Sequence, residues 1–345
     1  MKPRVIKCVV WDLDGTLWNG VLAEGDSLRL REEAANLVRA LDERGVLQSV
    51  ASRNDAVALE TLERFGLRDY FLHPHFGATA KSASIARIAE RLGVSTDSVA
   101  FVDDEPYERE EVAAVHPNVV CVDAATVATL LERGDITIPV GTGINRRMLH
   151  LAEQERQAAE DAAGGPSEDF LEGLGMRLAV RRAGSGDLGR IQELMLRTNQ
   201  LNTTGRFFPL EELERLCAAE DHVAVVMDLK DRFGDSGTVG FALVALTPGF
   251  WTMRMLMVSC RVQDRGVGAA VLGALRRGAH RAGARFRADY VRTKANRRMY
   301  VGLKLAGFSE VGGTEPELLL EADPTLLAPM PSWIEVRDET GALLP

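Results

Sequence analysis

Between residue 5 and about residue 135, short apolar runs alternate with amphipathic stretches, and this alternation restricts the fold more than any other feature of the chain. Val5–Trp11 reads as a buried strand. Arg31–Arg44 has helical spacing through Ala34, Leu37, Val38 and Leu41 and stops at Gly45, and Val46–Ala51 reads as a second strand. Helices are expected at Asp55–Phe65, closed by Gly66, at Lys81–Leu92, closed by Gly93, and near Glu105–Val115, the last after a strand at Ser98–Val102. Strands separated by helices pair in parallel, because the helix carries the chain back to the level where the previous strand began. The expected fold class is therefore α/β with a doubly wound parallel sheet, whose ligand crevice lies beyond the carboxyl ends of the strands.

Length asks for more than this one unit, since 345 residues is about two domains of chain. Residues 136–175 break the rhythm with a loop containing Pro139, Gly141 and Gly143, one polar helix over Asn145–Ala163, and Gly164-Gly165-Pro166; this stretch reads as a connector. A second α/β unit is expected over residues 176–322, with strands at His222–Met227, Thr238–Leu246 and Thr252–Val258, followed by a surface tail over 323–345. The four cysteines are scattered, with no Cys-x-x-Cys pair, which argues against a disulfide scaffold or structural zinc. No run approaches eighteen apolar residues, so no membrane partner and a cytoplasmic location are expected.

The first expected strand runs into Asp12-Leu13-Asp14-Gly15-Thr16. Two carboxylates at extended spacing point the same way, an unfavourable arrangement unless a cation sits between them. Asp-x-Asp-Gly-Thr after an apolar strand resembles the first motif of the haloacid dehalogenase superfamily, and three further motifs follow in order: Ser52 with Arg53 and Asn54 after the second strand, Lys81 opening a helix, and Asp103-Asp104 ending the third strand. The resemblance implies Asp12 as the nucleophile that forms an aspartyl phosphate and Asp14 as general acid and base. It also implies Mg²⁺ held by Asp12, the Asp14 backbone carbonyl, Asp104 and Asp103, with Ser52, Arg53, Asn54 and Lys81 binding phosphate. Only Leu17–Leu30 and Gly66–Ala80 are available for a cap, too few residues for a separate domain.

In the second unit, Gln263-Asp264-Arg265-Gly266-Val267-Gly268-Ala269 joins a strand to a helix, where glycines and a helix N-terminus suit an anion. With Asn296-Arg297-Arg298-Met299-Tyr300 and Gly307-Phe308 it resembles the acyl-CoA-binding core of the GCN5-related N-acetyltransferase (GNAT) fold. That resemblance implies that Gln263, Arg265, Gly266, Val267 and Gly268 bind the pantetheine pyrophosphate. Cys260 ends the strand along which a pantetheine arm would lie, and Arg254, Arg261 and Arg265 nearby would favour its thiolate. Cys8, Cys121 and Cys217 read as small buried hydrophobes.

The two halves together, with Lys7–Trp18, Arg197-Thr198-Asn199-Gln200-Leu201-Asn202 and Ser259-Cys260-Arg261-Val262, resemble the FkbH-like glyceryltransferase/phosphatase family. That resemblance implies a bifunctional enzyme of polyketide biosynthesis. It would dephosphorylate 1,3-bisphosphoglycerate, hold the glyceryl group as a thioester on Cys260, and pass it to the phosphopantetheine thiol of an acyl carrier protein. Asn199, Gln200, Asn202, Asn296 and Tyr300 are candidates for substrate binding; the first three serve equally well as a helix cap and polar turn. A phosphatase fused to an acetyl-CoA-dependent amine N-acetyltransferase, which needs no cysteine, and a carrier-docking scaffold remain open.

The net charge of −9 argues against nucleic acid as a partner, but it is unevenly spread. Residues 251–305 hold 13 Lys and Arg against 2 Asp and Glu, a basic frame around Cys260 suited to the acidic surface of a carrier protein.

Overall fold

Cys8–Trp11 (β1) contains no charged residue and is buried on both faces, as the central strand of a parallel sheet must be. The computed structural model describes residues 4–138, 146–326 and 330–341. In it β1 lies in the middle of a five-stranded sheet with Leu47–Ser52 (β2), His75–Phe76 (β3), Val99–Asp103 (β4) and Val120–Asp123 (β5), in the order β3-β2-β1-β4-β5. Every pairing is parallel. Alternate side chains leave β1 on opposite faces. Val9 and Trp11 pack with the helices Glu32–Glu43 (α1) and Ala58–Arg64 (α2), whereas Cys8 and Val10 pack with Lys81–Leu92 (α3) and Pro106–Val115 (α4). The indole of Trp11 donates to Gln48 Oε1 at 3.1 Å, and Gln48 Nε2 donates to the Val38 carbonyl at 2.8 Å, so the polar atoms inside this core are paired.

The helix at Lys81–Leu92 has the expected ends, and the others of this unit lie within those expected, the one at Ala58–Arg64 starting later than Asp55. Gly45 follows α1 at φ +73° and Gly93 closes α3 at φ +61°, left-handed positions that a side chain would strain. The chain turns in opposite directions from β1 to its neighbours β2 and β4, which opens the crevice at the carboxyl ends of β1 and β4.

The chain divides into two compact units between Gln154 and Glu155, inside the segment expected to be a connector. That expectation is corrected on both sides. Ile136–Thr137 pairs in parallel with Arg4–Val5, and Arg147, on the helix Arg146–Ala162 (α5), forms an ion pair with Asp42 at 2.8 Å in the first unit. In the second unit Arg156 of α5 is 1% exposed and grips Asp231 with two bonds of 2.6 and 2.9 Å. A further helix, Glu168–Gly173 (α6), is capped by the Ser167 hydroxyl and buries Phe170 and Leu171, where a single helix was expected. Pro139, Gly141, Gly143 and Asn145 lie outside the described residues.

The second unit is built on a mixed eight-stranded sheet. Its strands are Met176–Arg182 (β6), His222–Asp231 (β7), Gly234–Thr247 (β8), Phe250–Val258 (β9), Arg285–Val291 (β10), Phe308–Thr314 (β11), Glu317–Ala322 (β12) and Ile334–Asp338 (β13). They lie in the order β11-β12-β10-β9-β8-β7-β6-β13. Leu188–Arg197 (α7) and Leu210–Ala218 (α8) cover one face, and Val267–Arg281 (α9) and Arg297–Leu305 (α10) the other. The expected surface tail is also corrected, because β13 extends the sheet beside β6 and Trp333 Nε1 donates to the Arg265 carbonyl at 3.0 Å. The fold class is that of the sequence reading: a parallel-sheet α/β unit followed by a second α/β unit.

Asp231→Ala removes the bidentate partner of a buried guanidinium. The expected cost is about 3–5 kcal/mol, read from the urea midpoint; a loss below about 1 kcal/mol would contradict the burial described for the pair.

Candidate functional site

Trp11 lies beside Val102 in register, so β1 and β4 release their next residues at one level. Asp12 leaves β1 there, and Asp103 and Asp104 close β4. Carboxylate oxygens of these three residues lie within 4.8 Å of one another. Lys81 opens α3 and is 3% exposed; its Nζ donates to the Asp12 carboxylate and, at 2.6 Å, to the Ala51 carbonyl, and it stands 3.3 Å from Asp103 Oδ2. One ammonium faces three carboxylates. Asp103 Oδ2 is buried and makes no hydrogen bond.

Burial penalises the ionised forms here. It pushes Asp12 up to about 7, with Lys81 opposing the rise and Asp103 adding to it. It raises Asp103 in the same way, again against the pull of Lys81. Excess buried carboxylate with an unbonded oxygen is the donor set that a hard divalent cation takes. Asp12, Asp103 and Asp104 are therefore the side chains fitted to hold one.

The neighbouring residues fix these groups in place. Gly15 has φ +68°, and a Cβ there would stand 2.2 Å from Asp104 Oδ2, so no side chain fits at this position. Thr16 Oγ1 donates to Asp104 Oδ1 at 3.2 Å and accepts from the Asp104 amide at 3.1 Å. The carboxylate of Asp14 is outside the cluster. Its Oδ1 accepts from Trp18 Nε1 at 2.7 Å and the Leu22 amide at 3.2 Å, and its Oδ2 accepts from Asn54 Nδ2 at 3.0 Å. The side chain is thus committed to these three donors, in keeping with the expectation that only the Asp14 backbone carbonyl would face a metal.

Asn54, expected to bind phosphate, has both Nδ2 protons committed, to Asp14 and to Ser52 Oγ at 3.3 Å. Ser52 accepts from the Asn54 amide and side chain, so its own hydroxyl proton is free to donate. Arg53 lies at the rim, 65% exposed, and pairs with the buried Glu108 at 2.5 Å. Asp12, Asp14, Ser52, Arg53 and Lys81 line one cleft of about 470 Å³, bordered also by Glu105, Tyr107 and Glu108. The loops available for a cap hold only the two-residue pairing of Trp18–Asn19 with Arg29–Leu30 and short turns, so the cleft has no domain of the first unit over it.

Thr16, Trp18, Tyr107 and Glu108 were not singled out from the sequence. Thr16 and Trp18 had a signal in their place next to the aspartates, and Glu108 in its place in the first turn of the helix that follows Asp104.

In the second unit Cys260 is exposed, just past the end of β9. The other cysteines are withdrawn, and burial pushes the Cys8 thiol up to about 12 and raises Cys121 and Cys217. Gln263 and Arg265 belong to a short turn that ends at Gly266, φ +84°, where a Cβ would stand 3.0 Å from Pro331. Val267 is buried and opens α9. Ala270 is the first amide to bond back, to the Gly266 carbonyl at 3.0 Å, so the amides of Val267, Gly268 and Ala269 form the open N-terminus of a fifteen-residue helix. Arg254, expected near the thiol, is engaged with Asp289 at 3.1 Å.

The polar candidates do not converge. Asn199 and Gln200 are exposed. Asn296 is fully buried: its Nδ2 donates to the carbonyls of Asn202 at 3.0 Å and Val291 at 2.9 Å, and its Oδ1 accepts from Tyr290 at 2.8 Å. Asn202 is buried, and its Oδ1 accepts from the amides of Thr204 and Gly205 at 3.1 and 2.9 Å, while its Nδ2 makes no hydrogen bond. The Tyr300 hydroxyl donates to Glu310. Asn296 is thus corrected from a substrate-binding to a structural role, while Tyr300 stays half-exposed.

Residues 19–115 match the haloacid dehalogenase-like hydrolase family, a span that includes Ser52, Lys81, Asp103 and Asp104. Human magnesium-dependent phosphatase 1 is 29% identical over 122 residues, covering 30% of this chain and 69% of that protein. The solved phosphatase-containing N-terminal part of a Bacteroides fragilis protein, BF1531, complexed with Mg, is 26% identical over 37% of this chain and 39% of its own length, at a TM-score of 0.34. The PaiA N-acetyltransferase of Thermoplasma acidophilum, solved with coenzyme A, is 14% identical over 42% of this chain and 98% of its own, at a TM-score of 0.35.

The folded protein holds the Asp12 proton more tightly than the unfolded chain does, so cation-free protein loses stability as pH rises from about 4 to about 7. An added divalent cation relieves the ionised site and must displace a proton from the acid form. The rise in melting temperature on adding MgCl₂ is expected to be larger at about pH 8 than at about pH 5, and smaller in Asp12→Asn at the higher pH. Equal shifts at both pH values in the wild type would contradict the site.

Proposed function

We propose that the chain is a bifunctional phosphatase and acyltransferase that uses Mg²⁺ and converts 1,3-bisphosphoglycerate into a glyceryl thioester. The observation that carries this reading is the presence in one chain of an Asp12–Lys81–Asp103–Asp104 cluster, buried but for Asp104, and an exposed Cys260 placed directly before a glycine turn. The Mg²⁺ assignment is supported by the human phosphatase and the Bacteroides domain, whose names carry that metal.

In the transfer half, the Cys260 thiolate attacks the acyl carbonyl. A C–S bond forms, the bond to the acyl-phosphate oxygen breaks, and phosphate leaves. In the phosphatase half, an Asp12 oxygen attacks the remaining phosphorus while Asp14 protonates the departing alcohol oxygen. Asp14 then takes a proton from water, whose oxygen displaces Asp12 and releases phosphate. Ser52 donates to a phosphoryl oxygen, and Lys81 offsets the charge. Asp12, Asp103 and Asp104 would hold a divalent cation, which would supply charge neutralisation to carboxylates and phosphate together. Finally the carrier's pantetheine thiolate attacks the thioester carbonyl, forming a new C–S bond and returning Cys260 as thiolate. The cleft, free of a cap in its own unit, suits a phosphate carried on an acyl group attached to a protein.

An acidic carrier protein is supported by charge. Lys294, Arg297, Arg298 and Lys304, on α10 and just before it, are exposed and have no ion pair among the described residues. Asn296 leads this helix and bonds to the segment paired with the end of β9, two residues short of Cys260, so the basic helix starts at the same end of the sheet as the thiol.

Intact-mass measurement after adding 1,3-bisphosphoglycerate is expected to show a phosphoglyceryl or glyceryl adduct on wild type and none on Cys260→Ala. Asp12→Asn should retain the adduct in its phosphorylated form, still release the acyl phosphate as the adduct forms, and slow release of the second phosphate by about a thousandfold or more. No adduct on wild type, or one that survives Cys260→Ala, refutes the reading. With a carrier protein present, Arg297→Glu combined with Arg298→Glu is expected to raise its apparent KM about tenfold, and added salt to raise the wild-type value; a salt-independent KM excludes this docking face.

A further inference from the structure

In the second unit, β9 and β10 pair in parallel only over Phe250–Met253 and Arg285–Ala288. Pairing with β8 shows why they part: Leu243 faces Met255 and Val244 faces Met253, leaving Arg254 as an extra residue that bends β9. Beyond the bulge both strands continue, to Val258 and Val291, with a splay between them. The facing backbone groups there are strong donors and acceptors that need partners. An extended ligand carrying amides, such as a pantetheine arm, would satisfy them by adding as a strand.

This chain satisfies them itself. Val258 N–H donates to the Leu201 carbonyl at 2.9 Å, Thr203 N–H donates to the Leu256 carbonyl at 3.0 Å, and Leu256 N–H donates to the Thr203 hydroxyl at 3.0 Å. Asn202 sits opposite Met257 in an antiparallel bridge. On the other side, Val291 N–H donates to the Thr203 carbonyl at 2.9 Å. Asn296 clamps the assembly, donating to the carbonyls of Asn202 and Val291, and Asn202 and Thr203 are both wholly buried.

We infer that Leu201-Asn202-Thr203 is an internal strand occupying the place where the arm of an acyl-CoA would pair with β9. Thr203 is the residue that decides against that ligand class, because its hydroxyl takes the Leu256 amide that would otherwise meet a thioester carbonyl. An acyl group therefore reaches this unit from outside the splay, at the exposed end of β9. The inference holds whether or not Cys260 is the acyl carrier, so it does not stand or fall with the adduct experiment.

The test uses the full-length wild-type protein, with acetyl-CoA and free CoA as probes, by calorimetry and by amide hydrogen exchange. No saturable binding up to millimolar ligand is expected, with exchange at Leu256, Val258 and Val291 unchanged. Saturable acetyl-CoA binding that adds protection at residues 256–258, or that speeds exchange at 201–203, overturns the inference. Thr203→Val keeps the side-chain shape and removes the hydroxyl acceptor. Leu256 amide exchange should then quicken about tenfold or more, and an unchanged rate removes Thr203 from its assigned role. If that variant does not fold, the wild-type titration still decides. An adduct failure with CoA excluded would refute the proposed function alone, and CoA binding with a Cys260 adduct would refute this inference alone.

Discussion

Three carboxylates, two of them buried, and one buried ammonium meet at the ends of β1 and β4, and the first unit is organised around that imbalance. Burial of Asp12 away from water, opposed by Lys81 and reinforced by the Asp103 charge, holds a proton on Asp12 to near neutrality. Such a site is useful only if something positive or protonating completes it. The surrounding structure resists relaxation. Gly15 leaves room for the Asp104 carboxylate, Thr16 ties that residue at two atoms, and Arg109 Nη1 holds the Asp103 carbonyl at 2.7 Å while its other terminal nitrogen pairs with Asp123.

Asp14 shows the opposite treatment. It stands two residues from Asp12, yet three donors, from Trp18, Leu22 and Asn54, satisfy it. Two carboxylates in one motif thus have separate environments, one crowded by charge and one stabilised by hydrogen bonds, and such divergence suits a nucleophile beside an acid–base group. The second unit meets a different constraint, the need of a bent strand for partners, and meets it with its own backbone. That solution buries Asn202, Thr203 and Asn296 and leaves Cys260 as an exposed thiol beyond the strand end.

The first unit is legible in the sequence because its strands are buried on both faces and its helices on one, so the apolar pattern is strong and glycines mark the ends. The stretch around α5 is not. Only a narrow strip of that helix is buried, and one of its buried residues is Arg156, which a polar pattern assigns to solvent. The tail misleads for a related reason: β13 is an edge strand in which Glu335, Arg337 and Asp338 keep at least partial exposure, so it carries no core signature. Asn54, Asn202 and Asn296 were recognisable as residues with work to do. An amide can serve a ligand, a catalytic carboxylate or a backbone carbonyl equally well, and residue type does not distinguish them.

The sequence by itself determined the two α/β units, the four ordered motifs of the first, the solitary Cys260 before its glycine turn and the basic stretch around it. These rest on local properties: periodicity, spacing along the chain, and the count of charges. Only the tertiary structure decided that Asp12, Asp103 and Asp104 meet while the Asp14 side chain stays apart, and that Leu201–Thr203 fills the splay between β9 and β10. Both outcomes join segments dozens of residues apart, and the partner a buried polar group finds is set by which chain ends the sheet brings to the same place.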